Sequence, residues 1–259
     1  MTNKEIWKTA LEQSARDFSC QPEDFTSGKN KIVISQPNPE ARSYLPLPFQ
    51  CDMVTYGSNI VAQTSQQLMP VVEKYLSAYP RRHCFETPYT QKLDEMLAPF
   101  NHKVCFMAEY FLPDIDVLKL LECGYEIKVL EKSQFVDMYL PQWSNALSNS
   151  RPHLDMLAVV AMDGEKIIGM AGASADCETM WQIGIDVLPD YRRQGIASAL
   201  TSRLAIEIIN RGKVPFYCAA WCNIASVRNA IRSGFRPAWV ELTARDNNFV
   251  DKMNESTLL

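Results

Sequence analysis

Between residues 180 and 187 apolar side chains fall on every second position, with Trp181, Ile183, Ile185 and Val187 separated by polar or small residues. A period of two predicts a strand with one buried face. Pro189 ends it, because proline has no N–H to give to a sheet ladder. From Ile196 the period changes. Ile196, Leu200, Leu204 and Ile208 stand four apart, which is one stripe of a helix. Gly212 stops that helix, with Arg211 beside its negative end. The prediction is strand, turn, helix.

Similar patterning extends in both directions. Residues 125–131, 214–221 and 235–243 read as strands, and 155–161 with 166–173 as a hairpin about Asp163-Gly164. A helix opens at Asn223. Ser133 reads as the cap of a helix carrying Phe135, Met138, Tyr139, Trp143 and Leu147, kinked or split at Pro141. Residues 115–123 predict a short helix closed by Gly124, and the polar tail from Arg245 a frayed end.

In the first half, residues 4–18 predict a helix, Pro22 a short turn and 31–35 a strand. The proline-rich residues 36–48 read as a surface connection. Strands follow at 51–56 and 60–63, a helix at 67–78, a strand at 82–86, a helix to about Leu97 capped by Thr87, and a strand at 103–111. The break at Leu112-Pro113-Asp114 divides the chain into residues 1–118 and 119–259. The expected class is mixed α/β: a central twisted sheet flanked by helices, preceded by a smaller α/β domain.

Composition narrows the function. With 47% hydrophobic residues in 259 the chain has material for a sizeable core. A net charge of -4 and a pI near 5.5 argue against a general nucleic-acid binder. The eight cysteines form no C-x-x-C pair and the histidines number three, so no metal-ligand spacing occurs; the cysteines read as small buried hydrophobes. Neither an apolar leader nor a membrane-length apolar run is present, which together with the unpaired cysteines gives the expectation of a cytoplasmic protein.

The turn between the predicted strand and helix is Arg192-Arg193-Gln194-Gly195-Ile196-Ala197. The first N–H groups of a helix lack internal partners and its dipole favours an anion there. Gly195 lets a ligand approach the backbone, and two arginines add positive charge. Neither G-x-x-x-x-G-K-[ST] nor G-x-G-x-x-G is present. On residue types alone the segment is either a phosphate site or an ordinary basic turn.

Arg192-x-x-Gly195-x-Ala197 after a strand, followed later by Asn223-Ile224-Ala225-Ser226 and Ser233-Gly234-Phe235, resembles the GNAT N-acetyltransferase superfamily over roughly residues 125–245. The resemblance implies acetyl-CoA as co-substrate without a metal. It implies that exposed backbone of Ile185, Asp186 and Val187 grips the pantetheine arm. The pyrophosphate is expected on the amides of Arg193, Gln194, Gly195, Ile196, Ala197 and Ser198, with Arg192 as charged partner and Asn223 and Ser226 along the cofactor arm. The family often carries a tyrosine four residues before its Gly-Phe pair, as acid for the leaving thiolate; here that position is Ala230. Tyr217 is a candidate substitute, and Asp186, with Glu178 nearby, a candidate base, unless water carries the proton.

The expected activity is acetyl transfer to the primary amine of a small molecule. Alternatives are a CoA-binding sensor without turnover, or an acetyltransferase acting on protein lysines or N-termini. The expected partners are the amine alone, with no nucleic acid or membrane, in a monomer or homodimer. The element order in residues 51–111 fits either a degenerate copy of the second half of the same fold or an unrelated α+β cap.

Overall fold

The computed structural model describes residues 1–256. It comprises two compact units: Met1–Ala10 with Tyr110–Ala238, and Leu11–Glu109 with the chain from Trp239 onward. The chain passes between them inside α1 (Asn3–Phe18), β4 (His102–Pro113) and β10 (Phe235–Asp246). The class is mixed α/β with mostly antiparallel strands.

In the larger unit the strand order is β10, β4, β9 (Val214–Ala220), β8 (Met180–Val187), β7 (Lys166–Ser174), β6 (Asp155–Asp163), β5 (Glu126–Glu131). Neighbours from β5 to β8 are antiparallel, whereas β8 and β9 are parallel. Parallel neighbours need a crossover, and α4 (Ile196–Asn210) supplies it. Its predicted stripe of Ile196, Leu200, Leu204 and Ile208 is buried on Val159, Ala171, Trp181 and Ile183. At roughly 1.5–3 kcal/mol per buried side chain, this stripe holds the helix in place. Arg211 Nη1 donates to the Glu207 carbonyl at 3.0 Å, and Gly212 turns the chain with φ +74°. The alternate side chains of β6, Ala158 and Val160, face a second cluster built by Phe135, Trp143, Ala146 and Leu147.

Two helices expected here do not form. Residues 115–123 make one turn and then carry neither helix nor strand. Their backbone has partners that a helix would not reach: Leu121 N donates to Ser202 Oγ at 3.1 Å, and Leu118 lies so close to Gly234 that a β-carbon there would sit 2.7 Å from the Leu118 Cα. The segment expected as a helix from Ser133 is instead two short 3₁₀ turns, Lys132–Gln134 and Pro141–Trp143. Of its apolar residues Phe135, Trp143 and Leu147 are buried and Met138 and Tyr139 half-buried, but the chain presses onto the sheet. β-Carbons on the paired Gly172 and Gly184 would meet the carbonyl oxygens of Ala146 and Asn145 at 1.9 and 1.8 Å.

In the smaller unit the order is β1 (Lys31–Ile34), β3 (Ile60–Thr64), β2 (Cys51–Thr55), β10, β4. The helices α2 (Met69–Ala78) and α3 (Tyr89–Leu97) bury Val72, Tyr75, Leu93 and Leu97 on Met53, Ala62 and Leu242. Four expectations change. Where a strand was expected at 82–86, the chain forms a 3₁₀ turn, Arg81–Phe85, held where Tyr75 Oη donates to the Cys84 carbonyl at 3.2 Å. Thr87 gives α3 no side-chain cap. The proline-rich connection enters the interior: Ala41 is buried, and Arg42 is buried in an ion pair with Asp17. The tail forms α6 (Asn247–Ser256), because Phe249 packs on Phe106 and beneath the Arg245 guanidinium; the expected fraying beyond it lies outside the described residues. Of the cysteines, Cys51, Cys84 and Cys177 are buried, while Cys222 is exposed and the others are half-buried.

Candidate active site

The β8–β9 ladder runs from Met180 opposite Val214 to Ile183 opposite Tyr217 and stops. β8 continues to Val187, paired only on its other edge, where Gly184 faces Gly172 and Val187 faces Gly169. The edge of Gly184, Ile185, Asp186 and Val187 that faces β9 therefore has no ladder partner among the described residues. An extended ligand with amide groups can pair with such an edge.

After β8 a 3₁₀ turn, Pro189–Tyr191, leads into the Arg192–Gly195 loop. Arg193 and Gly195 take positive φ, +65° and +81°. This curls the loop before α4 starts at Ile196, and the N–H groups of Gly195, Ile196, Ala197 and Ser198 meet no carbonyl among the described residues. The Ser198 hydroxyl donates to the Gly195 carbonyl at 3.0 Å, which leaves its own N–H for a ligand. Fixed contacts brace the loop. Tyr191 Oη donates to Asp163 at 2.8 Å, and Lys166 lies 5.1 Å from the Tyr191 ring centre. Tyr125 Oη donates to Gln194 Oε1 at 2.8 Å, and Arg192 Nε to the Val187 carbonyl at 3.1 Å.

The loop opens on a cleft of about 230 Å³ whose other wall is α5 (Ile224–Arg232). Val187, Ile196, Ala197 and Ser198 line it with Arg192 and Arg193, and α5 contributes Ala225, Arg228, Asn229 and Arg232. No carboxylate is in the lining. The unpaired loop amides, with Arg192 beside them, fit the pyrophosphate of a CoA thioester. Of the residues picked out by sequence, Ile185 packs against the core and Gln194 is held by Tyr125. Asn223 caps α5, its Oδ1 accepting from Ser226 N at 3.1 Å. Arg228 and Arg232 were not anticipated, although Ala225, Arg228, Asn229 and Arg232 follow the i, i+3, i+4, i+7 spacing of one helix face. Asp163 was legible as part of a hairpin turn and Tyr125 as the start of a strand, but nothing local showed that they brace the loop.

The two candidates for proton transfer differ. Tyr217, at the last rung of the β8–β9 ladder, is buried, with Phe111 and Phe235 around its ring and its hydroxyl 2.8 Å from Ser226 Oγ. Burial pushes its pKa up, so the hydroxyl keeps its proton. Asp186 points away from the Ile185/Val187 face, with no bulge in the β7–β8 register. Its Oδ2 accepts from Asn145 N at 2.8 Å and Ala146 N at 2.9 Å, and its Oδ1 from Asn145 Nδ2 at 2.6 Å. The carboxylate thus pins the segment that lies over Gly184.

Parallel strands whose pairing ends beside a basic turn and an open helix start suit phosphate-bearing, amide-containing ligands. The GNAT acetyltransferase family profile matches residues 73–238, and the chain belongs to this family. It is also similar to solved structures. One is a GNAT-family protein from Novosphingobium aromaticivorans, at 17% identity over 56% of this chain and 66% of that one, TM-score 0.42. A second is a GCN5-related N-acetyltransferase from Kribbella flavida, at 15% identity over 59% and 62%, TM-score 0.47. A third, from Salmonella typhimurium with its cofactor acetyl-CoA, shares 15% identity over 48% and 94%, TM-score 0.34. The chain spans 66% and 62% of the length of the first two. No curated protein matches. No helix among the described residues is long and apolar enough to cross a membrane.

Proposed function

We propose that the protein is an acetyl-CoA-dependent N-acetyltransferase acting on the primary amine of a small molecule. The observation that carries this reading is the conjunction of the unpaired β8 edge with the unpaired amides at the start of α4. When bound, the thioester supplies an activated acyl carbon: nitrogen bonds to it as the C–S bond breaks, the amine loses a proton and the thiolate gains one. The amides of Gly195, Ile196, Ala197 and Ser198 hold the pyrophosphate, and Arg192 adds charge at the non-reacting end. The free edge of Gly184 to Val187 aligns the pantetheine arm. Tyr217, protonated at neutral pH and placed where the strands part, is the proton donor to sulfur. Asp186 acts through Asn145 and Ala146 and is assigned as a positioning residue; water takes the amine proton.

One observation favours a second reading, a CoA-binding protein without turnover: Ala230, where the family often has its tyrosine, is fully buried and cannot reach a thiol. Thiol release from acetyl-CoA, measured against small amines, amino acids and a lysine-rich peptide beside calorimetric CoA binding, separates the readings. Release with a small amine supports transfer. Release with the peptide alone moves the acceptor to proteins. Binding with no release for any acceptor supports the sensor, and no binding overturns both.

A further inference from the structure

The α5 wall of the cleft carries charge that the loop does not require. Arg228 and Arg232 stand one helical turn apart on the same face, with Ala225 and Asn229 beside them, and both line the cleft opposite Arg192 and Arg193. Like charges at i, i+4 repel, and a salt-bridging neighbour would ordinarily relieve them. Among the described residues none of these four arginines forms an ion pair, although the chain as a whole is acidic. Arg232 lies in the last turn of α5, where the helix dipole alone favours a cation. Arg228 lies in mid-helix and has no such reason.

The helix that presents them is fixed in rotation. Asn229 Nδ2 donates to Thr201 Oγ1 of α4 at 3.0 Å, Ser233 Oγ to the Ser198 carbonyl at 3.4 Å, and Ala230 is buried beneath. Asn223 pins the start of the helix. The two guanidinium groups are therefore carried on a rigid wall. The loop amides and Arg192 already account for one diphosphate. The additional pair has the charge and hydrogen-bonding fork for a separate phosphate monoester.

We propose that Arg228 and Arg232 form a second phosphate subsite, which reads the 3′-phosphate on the ribose of CoA and makes the protein select CoA over its dephosphorylated form. This rests on the CoA reading above. Both side chains are exposed, and bidentate guanidinium–phosphate contacts are strong enough for about a 10- to 100-fold preference.

Calorimetric binding of CoA and of dephospho-CoA to the full chain tests it without turnover. Wild type is expected to bind CoA 10- to 100-fold more tightly than dephospho-CoA. The double variant Arg228→Ala/Arg232→Ala is expected to bring the two ligands within about threefold, by weakening CoA and leaving dephospho-CoA unchanged. Equal affinity in wild type would overturn the subsite while leaving the CoA reading intact. So would a preference that survives in the double variant, since other groups would then read the phosphate. Binding of neither ligand to wild type would overturn the CoA reading and the subsite with it.

Discussion

The Tyr217 hydroxyl lies 2.8 Å from the Ser226 hydroxyl, across the gap between a strand and the first turn of a helix. The pair stands where the β8–β9 ladder ends, which puts the proposed proton donor at the point where backbone pairing stops. Tyr217→Phe removes the proton and almost nothing else. We expect kcat at saturating substrates to fall about 100-fold, within the usual range for a lost general acid. Stability should change by about 1 kcal/mol, the net worth of one hydrogen bond. Because burial raises the tyrosine pKa, the wild-type rate should show no alkaline loss from this group below about pH 10. Full activity in Tyr217→Phe would pass the role to water or another residue.

Gly195 offers a separate test of the loop. A β-carbon there meets no atom within 4 Å, so substitution is opposed by the backbone angle, φ +81°, rather than by crowding. Gly195→Asn should fold with a loss of about 1 kcal/mol, since asparagine tolerates the left-handed region. Gly195→Asp has nearly the same shape but adds a negative charge where the pyrophosphate is expected. Calorimetry should show CoA binding weakened at least tenfold more in the Asp variant than in the Asn variant. Equal affinities would remove the phosphate from this turn.

The contrast between what was and was not legible in sequence has a physical cause. β8, its turn and α4 are built from local periods: two-residue alternation through Ile185, four-residue recurrence from Ile196, and a glycine in a left-handed turn between them. Residues 115–123 have a helical composition, but their backbone bonds go to Ser202 and their path is set by contact with Gly234. Residues 133–147 keep their apolar pattern and lose the helix because Gly172 and Gly184 admit the chain directly onto the sheet. Such close approaches are set by pairs of glycines and backbone atoms distant in sequence. Arg228 and Arg232 were visible as an i, i+4 pair, but only the opposing loop distinguishes a binding wall from a solvated face.

Stability in the smaller unit should depend on pH through Asp52. This carboxyl is fully buried, with Oδ2 accepting from Gln63 Nε2 at 3.0 Å and Oδ1 from Thr243 Oγ1 at 3.1 Å. Burial, reinforced by the nearby Glu241, holds its pKa well above the ordinary value. The folded state therefore binds the proton more tightly than the unfolded chain does. The contribution to stability is complete below about pH 4, the unfolded value, and is lost as pH rises through the folded value. Asp52→Asn keeps the shape and removes the charge. Urea unfolding should show the variant gaining stability over wild type as pH rises from about 4 to 8, while a constant difference would mean that Asp52 does not titrate there.

Asp186 distinguishes a positioning carboxylate from a base. Three N–H donors from Asn145 and Ala146 converge on it, and the carbonyl of Asn145 lies over Gly184. In Asp186→Asn an NH₂ must confront at least one of those donors. With the site half-exposed, we expect a loss of about 1–2 kcal/mol, toward the lower end for hydrogen bonds to a charged group. Gly184→Ala attacks the same contact from the sheet side, since its β-carbon would stand 1.8 Å from the Asn145 oxygen, and overpacking of this kind costs about 1–3 kcal/mol or more. A positioning role predicts that both variants lower kcat together with melting temperature and leave the shape of the pH–rate profile unchanged. A base would behave differently: Asp186→Asn would remove the acid limb of that profile, and Gly184→Ala would retain it. The pH–rate profiles of the two variants, measured beside thermal unfolding, decide between these roles.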